Sequence, residues 1–214
     1  MEIDYLLTST RAVRKGLDLD APVDLAEIKQ CLRIACQASN GSNTQGWKWI
    51  VVHSAEARKK VADLYQQAYV SMTGLELGSD RFAEGTDPQS RMLSSVSALV
   101  NNFDRIPLFV VPCYEPYMGP AHNNFQLATY YGSIFPAVWN LILALHSRGY
   151  GSSITTLHLM QEEAFAEALG IPDGYMQGCM IPIGKLPEGK TFSPAPRKPI
   201  EEVIALDSFN GDSF

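Results

Sequence analysis

The sequence predicts an α+β fold in which strands alternate irregularly with long helices, and three observations carry that expectation. Leu25, Ile28, Leu32 and Ala35 recur at helical spacing. Short β-branched and aromatic runs, such as 47–53 and 106–114, stand between clusters of turn formers. The most apolar helical stretches, near Leu32 and near Leu141, exceed what one small sheet needs to cover itself. That excess points to helix-on-helix burial, within the chain or between subunits.

Taken in order, Asp24 and Glu27 read as a capping pair opening a helix over 24–38. The turn formers of 39–43 follow as a loop, and 47–53 as a strand. A helix is expected over 56–72. The polar, glycine-bearing stretch 73–88 reads as an excursion, and 73–105 as a lid region. A helix over 89–103 and a buried strand over 106–114 come next. An apolar helix is expected over 133–147, with Pro136 near its first turn and Gly149 as terminator. A strand over 152–157, a helix over 161–169 stopped by Gly170 and Pro172, an apolar strand over 178–186 and an extended piece over 201–206 complete the chain.

With 214 residues, 46% hydrophobic and 19% charged, the chain suits one domain, 1–214, with a sizeable core. A net charge of -6 offers no electrostatic reason to bind nucleic acid or an anionic membrane. No run of 18 apolar residues indicates a membrane span. The acidic start Met1-Glu2-Ile3-Asp4 lacks a signal-peptide layout. Cys31, Cys36, Cys113 and Cys179 have no CxxC spacing, so buried free thiols and a cytoplasmic setting are expected.

The sequence holds no GxSxG elbow, GxxxxGK[ST] loop, GxGxxG turn or HExxH pair. His53, His122, His146 and His158 lie far apart, so no metal site is expected, and His158 reads as structural or surface. Arg11 and Arg14 stand three apart; on a helical turn their guanidinium groups would share one side and suit a phosphate. Arg197 and Lys198 form a second basic spot. Each cluster, taken alone, reads as a solvated face before it reads as a phosphate site. Asn43 and Gln45 carry amides able to meet the alternating donor and acceptor edge of a pyrimidine or flavin, or they belong to an ordinary turn before a strand.

These segments in their order resemble the nitroreductase family of flavoproteins. The resemblance rests on Thr8-Ser9-Thr10-Arg11-Ala12-Val13-Arg14, on Ala38 through Trp47, on the run from Ser133 to Ala144, on Gly149 to His158, and on the closing Leu169 to Tyr175, Pro182 to Gly184 and Arg197 to Val203. It implies a three-layer α-β-α fold with a mainly antiparallel central sheet and an intertwined homodimer, binding FMN at the subunit interface. Arg11 and Arg14, helped by Arg197, would grip the phosphate, and the Ala12 backbone would sit beside the ribityl chain. Asn43 and Gln45 would face the polar edge of the ring. Thr155, Thr156 and Leu157 would line it through backbone N–H groups. Ser133 would approach from the partner subunit, and Phe82 would wall the substrate pocket.

The implied activity is ping-pong reduction of flat, electron-poor acceptors (nitroaromatics, quinones, activated enones) by NADH or NADPH. Flavin-fragmenting and dehalogenating relatives, or a non-catalytic FMN-binding protein, are the alternatives. Ser39 and Gly46 stand where the family commonly has proline, which predicts a looser loop around Asn43. Gly16 stands where an aromatic is common.

Overall fold

The computed structural model describes residues 2–79 and 86–213. Its helices are α1 (Ile3–Ser9), α2 (Leu25–Ala35), α3 (Ala55–Thr73), α4 (Pro88–Asn101), α5 (Asn124–His146) and α6 (Glu162–Leu169). Its strands are β1 (Trp47–Val52), β2 (Leu108–Tyr114), β3 (Tyr150–Ser152), β4 (Met176–Gln177) and β5 (Ile181–Lys185). The strands form one antiparallel sheet in the order β1-β2-β5-β3, and β4 also pairs with β2. The expected α+β architecture, helices on both faces of a mainly antiparallel sheet, is what the chain adopts.

Every residue of β2 is buried, and its alternation divides the core. Leu108, Val110 and Tyr114 face α2 and α5 together with Ile181, Ile183 and Tyr150. Phe109, Val111 and Cys113 face the other way, onto Val61, Tyr65, Leu99 and Phe103 from α3, α4 and the turn after it, and onto Phe165 of α6. Such two-sided burial explains why 106–114 reads as a continuous apolar run. Pro112 has no N–H to donate, and its carbonyl accepts from Gly178 N at 2.8 Å. A Cβ on Gly178 would stand 2.6 Å from Ile134 Cδ1, so glycine lets α5 press on the sheet there.

Local chemistry sets half of the helix ends. Asp24, Ser54, Asp87 and Asn123 each cap with a side-chain oxygen that accepts a first-turn N–H. Pro88 occupies the first turn of α4, where no N–H is needed. Gly74 and Gly170 close α3 and α6 in the left-handed conformation.

Three expected elements differ. Helix α5 begins at Asn124, not near 133, so Pro136 lies deep inside it. The extra turns contain Gly132 and two tyrosines, weak helix formers held by tertiary contacts. Tyr130 is buried and donates to the Gly119 carbonyl at 2.7 Å, and the Trp47 indole donates to the Ser133 carbonyl at 2.8 Å beside the turn that Pro136 weakens. The expected strand over 152–157 is β3 followed by a single bridge between Thr155 and Met180; a 3₁₀ turn takes over at Leu157–Gln161. The final piece is a short, exposed 3₁₀ turn, Ile200–Glu202. By length and composition α5 could cross a membrane, but it packs on α2 and the sheet through Ile134, Val138, Leu141 and Leu145.

Glu27 does not reach back to complete a capping box. Its carboxylate accepts from the Tyr150 hydroxyl at 2.5 Å and from Lys185 Nζ at 3.4 Å, which joins α2 to β3 and β5. The Tyr150 hydrogen bond, followed by Lys185, holds the Glu27 carboxyl below its usual 4.5. A depressed carboxyl contributes stability above that usual value and loses it as pH falls through the folded-state value. Tyr150→Phe is therefore expected to cost about 1 kcal/mol at pH 7, below the usual range for a charged acceptor because Glu27 stays partly solvated. Urea unfolding at pH 7 and pH 3 should show a smaller deficit in acid; equal deficits would mean that the carboxylate is not the source.

Candidate functional site

The basic segment after α1 is extended rather than helical, because Val13 N donates to the Ser152 carbonyl at 2.8 Å and lays the segment along β3. Gly151 makes room for it: a Cβ there would meet Leu17 Cδ2 at 2.5 Å and Val13 Cγ1 at 3.1 Å. The helical-turn reading of Arg11 and Arg14 is thereby corrected, and the two side chains part company. Arg11 donates to the Ser193 carbonyl and lies 5.5 Å from the centroid of the Phe192 ring. The same ring stands 5.7 Å from His146, at the end of α5. Burial, and then the Arg11 charge, pushes the His146 pKa down.

Arg14 faces α3 and α4. With Lys15, Leu17, Leu99 and Asn102 it walls a cavity of about 140 Å³. Lys15 Nζ donates to Ser94 Oγ at 2.7 Å. The positive charge of Arg14 bears on Tyr65, whose hydroxyl meets Thr155 Oγ1 at 2.6 Å. Thr155 gives both backbone groups to Met180, donating at 2.9 Å and accepting at 2.8 Å. Its N–H is thus spent, which corrects the expectation that this amide would face a ligand; its hydroxyl is its remaining donor. Thr156 is exposed and Leu157 half-buried at the start of the 3₁₀ turn. Ala12 is exposed between the arginines. Arg197 lies in the exposed C-terminal segment and donates to the Pro196 carbonyl; among the described residues no hydrogen bond joins it to Arg11 or Arg14.

The amide loop lies elsewhere. Ser42, Asn43 and Gln45 adopt positive φ of 53°, 51° and 51°, a conformation that costs a non-glycine residue on the order of 1 kcal/mol or more. Four hydrogen bonds hold it: Gly41 N to Ser133 Oγ, Gln45 N to Asn40 Oδ1, Thr44 Oγ1 with Tyr114 OH, and Glu115 N to the Gly46 carbonyl, each 2.9 Å. The loop is therefore tethered, not loosened. A Cβ on Gly46 would stand 2.9 Å from the Glu115 carbonyl oxygen, so glycine is what the close approach needs. Asn43 and Gln45 are exposed and touch each other at 3.4 Å.

Ser133 anchors this loop. It is fully buried; its hydroxyl accepts from Gly41 N and donates to the Thr129 carbonyl at 2.7 Å. Its one hydrogen and one of its two lone pairs are thus used inside its own chain. Ser133 and His146 mark where the loop and Arg11 meet α5, about 20 Å apart along the axis at 1.5 Å per residue. One protomer thus holds the arginine side and the amide side of the predicted site apart.

Phe82 lies outside the described residues. His158 is a core residue: it stands edge-on to Phe165 at 5.4 Å, and burial pushes its pKa down to about 4. Tyr65 was not legible as a site residue, since it sits mid-helix on an apolar face like any core tyrosine. Lys15 had a signal, its place beside Arg14. Cavities of about 430 Å³, near Glu115 and Tyr175, and about 490 Å³, near Gln66 and Leu77, contain none of the predicted residues. Among the described residues no His, Cys, Asp or Glu side chains gather as a metal site.

The chain is 22% identical to the iodotyrosine deiodinase of Drosophila melanogaster over 206 residues, covering 93% of this chain and 67% of that protein. The FMN and NADPH-dependent nitroreductase NfnB from sphigopyxis sp. strain HMH has a similar structure, with a TM-score of 0.70, 22% identity and coverage of 98% of this chain and 100% of that one. A BluB-like flavoprotein from Clostridium difficile 630 has a TM-score of 0.68 at 22% identity, covering 97% and 100%. The profile of the nitroreductase family matches residues 7–185, and the chain belongs to that family.

Proposed function

We propose that the chain is an FMN-dependent oxidoreductase, acting as a homodimer that takes electrons from NADH or NADPH and passes them, in ping-pong order, to nitroaromatics, quinones or activated enones. The observation that carries this reading is the Tyr65–Thr155 hydroxyl pair, with the Arg14 charge acting on its tyrosine, beside the basic segment in a member of the nitroreductase family. The donor set fits a phosphorylated ring. Arg11 Nε is buried without a partner among the described residues, and its Nη2 rests on a neutral carbonyl. A phosphate is the stronger, charge-matched acceptor for that guanidinium. When bound, the flavin supplies the redox chemistry. Arg11 holds the phosphate, Arg14 adds positive charge beside Tyr65 and donates to the flavin, and the Asn43 and Gln45 amides present paired donors and acceptors to the ring edge. The four cysteines are free, which suits a reducing, cytoplasmic setting.

A second copy is what brings the two sides together. The outward face of α5 leaves Phe125, Tyr131 and Trp139 exposed, Ile34 of α2 is exposed, and the C-terminal segment exposes Val203 and Phe209. An isologous pairing covers this apolar surface and sets the amide loop of one protomer against the arginines of the other. Dehalogenation is the second reading, favoured by the match to iodotyrosine deiodinase. Reductant oxidation driven by a quinone supports the first reading; oxidation driven by a halotyrosine but not by a quinone supports the second.

The purified protein is expected to carry FMN, seen in its visible absorption and bleached anaerobically by NADH or NADPH. A colourless protein that takes up no added FMN sinks the proposal. Arg14→Ala removes a cationic donor to the flavin, a charge-assisted bond worth about 1.5–3 kcal/mol, so fluorescence titration should show FMN binding at least tenfold weaker. Unchanged affinity removes Arg14 from the site. Trp139→Glu places a charge in the proposed subunit contact. Light scattering should then report a monomer that has lost its FMN, whereas an FMN-loaded monomer would contradict the shared site.

A further inference from the structure

Tyr65 is a buried phenol whose hydroxyl meets one side-chain partner, Thr155 Oγ1, at 2.6 Å. Its ring is fixed by stacking on Phe103, with centroids 3.8 Å apart and planes within 7°. Burial raises the Tyr65 pKa, so the phenol keeps its proton near neutral pH. A phenol is a better donor and a poorer acceptor than an aliphatic alcohol, so the Tyr65 hydroxyl donates and Thr155 Oγ1 accepts. The Thr155 hydrogen then cannot point at Tyr65. Because both backbone groups of Thr155 are paired with Met180, and its side chain is half-buried, that hydrogen is left for the open side.

We infer that Tyr65 is a positioning residue: by donating to Thr155 Oγ1 it turns the Thr155 hydroxyl into an outward donor, aimed at an acceptor atom of the bound flavin. The inference rests on the FMN reading above. An outward donor discriminates between redox forms. The oxidised isoalloxazine presents N5 as a bare acceptor, and reduction by two electrons places a hydrogen there. A hydroxyl held as a donor therefore favours the oxidised form. Released from Tyr65, it can turn and accept instead. Tyr65→Phe keeps the ring and its stack and removes only this control.

The test is the midpoint potential of bound FMN in the holoprotein, measured by dye equilibration for the wild type, Tyr65→Phe, Thr155→Val and the double variant. Tyr65→Phe should raise the potential, shifting the oxidised-to-reduced ratio at a fixed setting by up to about tenfold, which is about 30 mV for a two-electron couple. In the Thr155→Val background the same change should have no effect, because Tyr65 acts through Thr155. Thr155→Ser, which keeps a hydroxyl, should retain the sensitivity to Tyr65→Phe; this pair carries the test if Thr155→Val does not fold. A Tyr65→Phe protein that binds FMN at an unchanged potential, or that shifts it equally with Val at 155, overturns the inference and leaves Tyr65 as packing. A wild type that binds no FMN overturns the flavin reading itself and this inference with it.

Discussion

Strand β2 is buried along its whole length, so its peptide groups must pair with neighbouring strands and its side chains with helices above and below. That demand organises the protein. It calls β1 to one edge and β5 with β4 to the other, and it places α2 and α5 on one face and α3, α4 and α6 on the opposite face. The same sheet fixes the functional loops. The amide loop enters through β1, whose first residue pairs with Tyr114, and the Thr155 segment leaves β3 to bridge beside β5.

Helix α5 links the core to the proposed site. One side fills the larger cluster through Ile134, Val138 and Leu141, and Ser133 on that helix fastens the amide loop. Its outward side remains apolar, with Trp139 41% exposed and Phe125 70% exposed. A helix apolar all round has more surface to bury than one layer of one chain can cover. The fold and the proposed dimer thus follow from the same excess of apolar helix.

Polar chemistry concentrates where the layers meet. Glu27, Tyr150 and Lys185 join α2 to the sheet, and Tyr65 with Thr155 joins α3 to the strand side of the site. In both pairs a buried tyrosine spends its hydroxyl on a group from a distant part of the chain. Burying a phenol without a partner is costly, so each bond also selects one docking of its helix.

The sequence by itself determined the class of the fold, the family, the buried character of β2 and the start of α2 at Asp24. Each is encoded in local periodicity, in a capping residue or in motifs kept in order. Tertiary structure decided the rest. The first turns of α5 contain Gly132 and tyrosines, and they exist because Tyr130 and Ser133 find partners in distant loops. The strand expected over 152–157 stops short and Thr155 survives as a bridge to Met180. Arg11 and Arg14, three apart, diverge because Val13 pairs with Ser152. Tyr65 meets Thr155 across 90 residues of chain. Local pattern records which face of an element is apolar; it does not record which distant group will take each N–H and hydroxyl, and those pairings settle where the polar side chains of the site point.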